Sequence, residues 1–502
     1  MNYPFWDVPI GYGILMAVIA VLHVSVSHFA IGGGLYLVVT EHRARRHNDR
    51  PALEFLEKLS RFFALVTLVT GALTGVGIWF IIGLLNPAAT EMLIHNYVWG
   101  WATEWTFFFV EVAAAIIYYY GWKRMTVAAH LTVGWIYFIF AWLSLVIING
   151  IITFMLTPGR WLETGNFWDG FFNPTYWPSL VFRTGVCIML AGLYALLVAS
   201  RYEAGDFKAR TVRYTATWGI FGLIVTVVSQ YWYWRAIPAA ITATAEKIMR
   251  TPMDALQYTI WLAAAIGVLL VVCLLLPRRL PMAVAVVLMV FGLAWFGSFE
   301  SFRESIRKPY VITGYMYGNG VEVAQTGRYK KDGYYAGIAY KTSDEGADLF
   351  EHSCRSCHTL DGYKPLKPAF DGTDKAFIAD IVRSAHLLRG NMPPFLGTAA
   401  EADKIAEYLY QRIDHRPLAE ICKQENVDLG QRAYDVRCGN CHIVGGYRDV
   451  SKSFAGLSAD DLSGLLDMSA SLGEGMPEYS GNTTERAALV AYLQMLGKRV
   501  KK

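Results

Sequence analysis

Residues 11–39, GYGILMAVIAVLHVSVSHFAIGGGLYLVV, contain no Asp, Glu, Lys or Arg. A helix of roughly 20 apolar residues crosses the hydrocarbon core of a bilayer, so this stretch predicts a membrane span, drawn here as 10–40. Two histidines, His23 and His28, lie inside it. Reading onward, comparable apolar runs recur at 61–85, 99–121, 130–156, 179–200, 212–235, 257–276 and 281–299, so about eight spans are expected. After Glu300 the charge density rises and the long apolar runs stop. The expected fold is all-α: a polytopic membrane helix bundle over residues 1–312, followed by a soluble tail.

The whole-chain arithmetic agrees. Of 502 residues, 54% are hydrophobic and 17% charged, whereas a soluble domain carries about 25% charged residues. Mean hydropathy is +0.31. A disordered chain and an ordinary soluble globule are both excluded. A net charge of +4, with no block of like charge, argues against a nucleic-acid partner. Seven cysteines in a chain of this length do not read as a disulfide framework.

Basic residues set the orientation. Arg43, Arg45, Arg46, Arg50 and Lys58 follow the first span, Lys123 and Arg124 the third, Arg201, Lys208, Arg210 and Arg213 the fifth, and Arg278 and Arg279 the seventh. The loop 86–98 has no Lys or Arg and 157–178 has only Arg160. By the positive-inside rule the basic loops are cytoplasmic, and an even number of spans then puts both termini and the tail on the outer, periplasmic face of a bacterial inner membrane. Loop 235–256, with Arg235, Lys247 and Arg250, fits the rule least well. Residues 1–9 lack a basic leader and the first span is too long for a cleavable signal, so none is expected.

The tail contains Cys354-Arg355-Ser356-Cys357-His358 and Cys438-Gly439-Asn440-Cys441-His442. Both read C-x-x-C-H, the attachment pattern for covalent haem c. Cysteines three apart share one helical turn and can each form a thioether, and the adjacent histidine supplies one iron ligand. Methionine is a common second ligand and raises the potential. Met392, before Pro393, lies 34 residues after His358, and Met476, before Pro477, lies 34 after His442. The two motifs start 84 residues apart, and Tyr408-Leu409 and Gly346 recur at the same offset as Tyr492-Leu493 and Gly430. This is an internal duplication. A zinc site or coincidence is the rival reading of one such motif; two in register, each with its Met-Pro, argue against it. Met468 competes with Met476 but lacks the repeat offset. The tail resembles a pair of class I cytochrome c domains, at 344–416 and 428–502, with 313–343 as an outer linker. Haem c is attached outside the cytoplasm, which agrees with the charge-derived orientation.

Ionisable side chains inside membrane spans are costly and usually functional. Here they are His23, His28, Glu104 and Glu111, with Asn149 as a buried amide and Glu300 and Glu304 closing the last span. At 1.5 Å per residue Glu104 lies roughly 8 Å below the outer face. His23, Glu104 and Glu304 therefore gather toward the side that bears the tail. The competing readings are a hydrogen-bonded core histidine for His23, packing carboxylates for Glu104 and Glu111, and a surface carboxylate for Glu304. His28 points about 140° away from His23 and reads as structural or peripheral, and Glu300 reads as a solvated rim residue, with an alternative ligand as the rival reading. Cys187 and Cys273 read as packing, Cys422 has no obvious partner, and Trp99, Trp101 and Trp105 read as interfacial belt.

The quoted pieces of the membrane half carry a resemblance. Leu22-His23 with Gly32, Thr70-Gly71 and Thr74-Gly75, Glu104 and Glu111 followed by Gly121-Trp122-Lys123-Arg124, His130, Asn149-Gly150, and Glu304-Ser305-Ile306-Arg307-Lys308-Pro309-Tyr310 are similar to cytochrome bd-type oxidase subunit I. The resemblance spans residues 10–312. It implies that His23 and Glu304 are axial ligands of two membrane haems of b or d type, that Glu104 is a carboxylate at the same site, and that Glu111 lies on the proton route. Arg183 and Arg307 become side chains at the cofactor periphery, Arg183 meeting a haem propionate or a lipid headgroup. Arg183 also stands where the family has the histidine of its low-spin haem, and arginine stays protonated and does not ligate iron. No matching methionine is found in the seventh span, the long quinol-binding loop is reduced to a connector, and the last helix is missing.

The expected activity is that of a respiratory terminal oxidase. A periplasmic cytochrome c would supply electrons through two covalent haems to high-spin membrane haems that reduce dioxygen to water, with a second bd-like membrane subunit as partner and the bilayer lipid around both. Two alternatives remain open: quinol oxidation with electrons exported through the tail, and a non-catalytic relay subunit. Nitric oxide is an alternative substrate at the same open iron.

Overall fold

The computed structural model describes residues 8–248 and 250–499. Among them eight helices are long and apolar enough to cross a membrane: α1 Tyr12–Arg46, α2 Arg50–Leu85, α3 Val98–Gly121, α4 Val127–Leu156, α5 Tyr176–Ala199, α6 Asp206–Ala236, α7 Asp254–Leu275 and α8 Met282–Arg307. Several begin earlier or end later than their apolar runs, because polar residues at their ends continue the helix beyond the hydrocarbon. Asp49 caps α2 by accepting from Ala52 N, and Thr126 caps α4 by accepting from Ala129 N. Both side chains satisfy amides that a helix start leaves without partners.

Helix α1 is central and packs on α2, α4, α5 and α8. Its crossing with α5 is very close: a Cβ on Gly32 would come 1.8 Å from the Cys187 carbonyl oxygen. Only glycine lets the two backbones approach this far. The α5–α6 crossing is made the same way, since a Cβ on Gly192 would lie 2.6 Å from Gly219 N. Helix α5 is the most buried span. Asn149 of α4 donates to Tyr176 O at 3.0 Å and accepts from Ser179 Oγ at 2.7 Å, fixing α4 to the start of α5. Within α2, residues Leu65–Gly71 form a π-helical turn, a local widening of the ladder that is frequent at functional sites.

The tail is two similar helical units. The first holds α9 Glu345–Ser353, α10 Lys375–Arg383 and α11 Ala399–Tyr410. The second holds α12 Leu429–Arg437, α13 Ala459–Asp467 and α14 Thr483–Arg499. Each unit has its own apolar core. The segment before the first unit is more than a connector. It forms a small hairpin, β1 Tyr310–Ile312 with β2 Met316–Tyr317. Tyr317, Val321, Tyr334 and Ile338 then enter the first unit's core, and Glu401 accepts from Tyr334 N at 3.0 Å and Tyr335 N at 2.7 Å.

The first unit rests on the membrane bundle. Tyr12 donates to Glu351 at 2.6 Å, Arg355 to Val8 O at 3.3 Å, and Asn86 to Gly318 O at 3.0 Å. The Tyr363 amide meets Ile10 O at 3.0 Å. The second unit is joined to the first through Arg437, which is paired with Glu485 at 2.9 Å and donates to Gly372 O at 3.1 Å.

Candidate functional site

In the first tail unit Cys354 follows the last residue of α9. The Cys357 and His358 amides bond back to Cys354 O at 3.1 and 2.9 Å, which holds the three side chains on one tight turn. His358 Nδ1 lies 3.2 Å from Lys364 O. The repeat is faithful: His442 Nδ1 lies 2.8 Å from Arg448 O. A carbonyl accepts, so each Nδ1 carries the proton and each Nε2 is left with its lone pair for a metal. Lys364 and Arg448 both have left-handed backbone, φ 50° and 47°, a cost for non-glycine residues that turns each carbonyl to its histidine. Burial lowers the pKa of His358 to about 4, so the ring is neutral at physiological pH. Burial pushes the thiols of Cys354 and Cys438 up to about 12. Cys354 and Met392 pack on the same core, and Cys438 on the core of the second unit. Both units fit a covalent haem.

Cys441 does not pack as its repeat partner does. It lies against the core of the first unit, and a Cβ on Gly475, beside Met476, would meet Leu387 Cδ1 at 2.5 Å. The second C-x-x-C-H turn and the Met476 loop thus face the first unit's 384–392 loop. Arg389 in that loop exerts its charge on both His358 and Cys441. It too has positive φ, 50°, and 84 residues on stands Gly473.

In the membrane half, His23 of α1 sits against α2 just after its π-helical turn. Its Nδ1 is 3.2 Å from Thr74 Oγ1, and a Cβ on Gly75 would meet its ring at 3.2 Å. Thr74 donates to Thr70 O at 2.7 Å, so its hydroxyl oxygen is left to accept from His23 Nδ1. Glu104 and Glu111 lie two turns apart on the face of α3 toward α4. Ser144 donates to Glu104 at 2.9 Å. Tyr137 lies 3.3 Å from Glu111 Oε1 and 3.0 Å from Ala30 O. Glu304 is paired with Arg307 and, at 3.0 Å, with Lys308. Arg307 also donates to Val311 O at 2.9 Å. No hydrogen bond or ion pair among the described residues links His23, Glu104 and Glu304 to one another. No three metal-binding side chains converge there either, whereas an axial haem ligand acts singly.

Residues 14–233 match the family described as cytochrome bd terminal oxidase subunit I. Residues 341–409 match that described as cytochrome c oxidase, cbb3-type, subunit III. The chain thus joins a region that matches the cytochrome bd subunit I family to one that matches a cytochrome c family. The fold of the bd-type domain agrees: the chain is similar to the solved bd oxidase from Geobacillus thermodenitrificans, with 15% identity and a TM-score of 0.52 over 61% of this chain and 88% of that one. Among curated proteins none matches the chain significantly. It is a multi-pass membrane protein.

Several features of the bd-type domain were not visible in the sequence. Glu300 is not a solvated rim residue. Its carboxylate, 12% exposed, is gripped by Arg183 at 3.0 Å and Arg303 at 2.8 Å, because Arg183 reaches it across the α5–α8 contact and Arg303 lies one turn on. Arg183 is 1% exposed, so it faces the bundle interior. His28 contacts Arg183 at 3.5 Å through Nε2, with Nδ1 on Val24 O at 2.7 Å. A second cluster lies near the basic ends of α1 and α3. There the buried Glu41 accepts from Tyr118 at 2.7 Å and meets His130 at 2.9 Å and Arg45 at 3.1 Å. The only sequence signal for it was His130.

The junction of the two halves was likewise unforeseen. A side-chain carbon on Gly318 would meet Lys308 Nζ at 3.9 Å and Cys357 Sγ at 4.0 Å. Burial works against the Lys308 ammonium, but Cys357 and Glu304 outweigh it and hold its pKa above the usual lysine value.

Proposed function

We propose that the protein is a respiratory terminal oxidase that takes electrons from a periplasmic cytochrome c and reduces dioxygen to water. One observation supports this most: Cys357 of the first C-x-x-C-H turn and Lys308, the residue that pairs with Glu304 at the end of α8, both border Gly318. A covalent haem on that turn would lie near the candidate membrane site.

Cys354, Cys357, His358 and Met392 would hold one covalent haem, and Cys438, Cys441, His442 and Met476 the other. His23 and Glu304 would each hold a membrane haem of b or d type. Bound there, the haems would supply one-electron storage and the iron chemistry of dioxygen reduction. The chain's own groups do the rest. Thr74 fixes the His23 ring so that Nε2 stays free. Lys308 and Arg307 hold the Glu304 carboxylate in place. Tyr137 and Ser144 hold the carboxylates of Glu111 and Glu104, where a proton can be taken up at Oε1 and passed on. Arg183, engaged by Glu300, leaves no ligand for a low-spin haem at its position. The quinol route of the family would then be replaced by the tail. Both termini and the two tail units would be periplasmic, and a second bd-like membrane subunit would cover part of the exposed apolar faces of the bundle.

Oxygen uptake by the purified protein tests the reading, with ascorbate-reduced cytochrome c in one run and a short-chain quinol in the other. Uptake with cytochrome c alone is expected. Uptake with quinol alone would overturn the proposed electron donor, and none with either donor, in protein that retains its haems, would leave an electron relay.

A further inference from the structure

The α5–α6–α8 contact contains buried donors without acceptors. Arg183 Nε, Arg303 Nη1 and the Tyr233 hydroxyl have no hydrogen-bond partner among the described residues. Arg183 and Tyr233 are each 1% exposed. The three belong to one place. Both arginines grip the same Glu300 carboxylate. The Tyr233 ring packs on Phe299 at 5.7 Å, and its hydroxyl is within electrostatic range of both guanidinium groups. A buried donor left unpaired is costly, so three in one place mark a site built around an acceptor.

Charge points the same way. Four cations, Arg183, Arg303, Arg307 and Lys308, face two carboxylates, Glu300 and Glu304. Two positive charges are left over at the outer end of the bundle, an expensive excess where the dielectric is low. His28 adds none, since its Nδ1–H is spent on Val24 O and its Nε2 faces Arg183.

We propose that Arg183, Arg303 and Tyr233 form a carboxylate-binding pocket that takes a propionate of a membrane haem. An arginine fork and a phenol supply convergent hydrogen bonds to a carboxylate, and an anionic side chain of a haem brings the missing negative charge. Arg183 then holds a haem by its periphery at the position where it cannot hold an iron. The pocket rests on the proposed function only in that a non-covalent haem is present in the membrane half.

The test uses the full-length holoprotein. A pyridine haemochrome assay first counts non-covalent haem: its complete absence would overturn the membrane-haem reading and this pocket together. With haem present, redox-difference infrared spectra and potentiometric titration are compared for wild type, Arg183→Met, Arg183→Lys and Tyr233→Phe. The expected result is a shifted propionate carboxylate band and a lower midpoint potential of one membrane haem in Arg183→Met, a smaller shift of the same sign in Tyr233→Phe, and partial recovery in Arg183→Lys. Tyr233→Phe removes one oxygen atom and keeps the ring, so it decides the matter even if Arg183→Met fails to fold. Unchanged bands and potentials in haem-replete variants would overturn the proposal. A wild-type potential that moves with chloride or phosphate concentration, and no longer does so in Arg183→Lys, would assign the pocket to a free anion and overturn it equally.

Discussion

Lys308 Nζ lies 3.0 Å from Glu304 Oε1, and the same ammonium borders the place where Cys357 meets Gly318. One side chain therefore stands between a haem attachment turn and a candidate haem ligand of the membrane half. Replacing Lys308 by Gln keeps a donor near Glu304 but removes the charge. Electron transfer from tail to membrane haems is expected to slow by about tenfold, the effect of about 1.4 kcal/mol on a barrier. Flash-photolysis of the carbonyl complex followed by tail-haem absorbance measures it. An unchanged rate would mean that electrons do not pass this junction.

Gly32 fills no space, and its importance lies in that. Gly32→Ala would place Cβ 1.8 Å from Cys187 O, a backbone atom that cannot rotate away. Overpacking typically costs about 1–3 kcal/mol, and here α1 must also move away from α5, carrying His23 with it. The expected outcome is a lower thermal midpoint in detergent and loss of membrane haem, with the tail haems intact. Gly205, before α6, has open space around it, so Gly205→Ala is the control expected to leave both unchanged.

Arg437 is expected to hold the tail together. It is 5% exposed, pairs with Glu485 at 2.9 Å, and donates to Gly372 O of the other unit. Removing one partner of a buried pair costs about 3–5 kcal/mol. Arg437→Met should lower the unfolding midpoint of the second unit, read from its haem absorbance. It should also raise protease sensitivity between residues 411 and 428. A midpoint equal to that of wild type would show that the pair contributes nothing net.

Met392 and Met476 should behave as equivalents within their units. Met392→Ala and Met476→Ala are each expected to remove one methionine-to-iron charge-transfer band and lower one midpoint potential, since a thioether ligand favours the reduced iron. Met468→Ala, at the rival position, should change neither. If Met468→Ala removed the band instead, the repeat offset would have misled the assignment.

The duplication was legible because attachment chemistry is local. Two cysteines and a histidine on one turn, and a methionine at a fixed offset, are specified by spacing alone. The spans were legible for a similar reason, since a bilayer imposes length and apolarity residue by residue. Gly32 was visible only as part of a resemblance; its reason is the Cys187 carbonyl on another helix. Glu300 read as a rim residue because a sequence cannot show that Arg183, more than a hundred positions earlier, reaches its carboxylate.

By itself, then, the sequence determined the number of spans, the tail and its repeat, the two C-x-x-C-H motifs with their Met-Pro offsets, and the list of intramembrane acids and histidines. Each follows from periodicity, local charge or a short spacing. Only the tertiary structure decided what each of those side chains meets: Thr74 for His23, Ser144 for Glu104, Tyr137 for Glu111, Lys308 for Glu304. It also decided that the second C-x-x-C-H turn faces the first unit and that the first unit rests on the membrane bundle. Such pairings depend on helix crossings closed by glycine contacts and on ion pairs between distant segments. Their energy is non-local, and no short stretch of the chain encodes it.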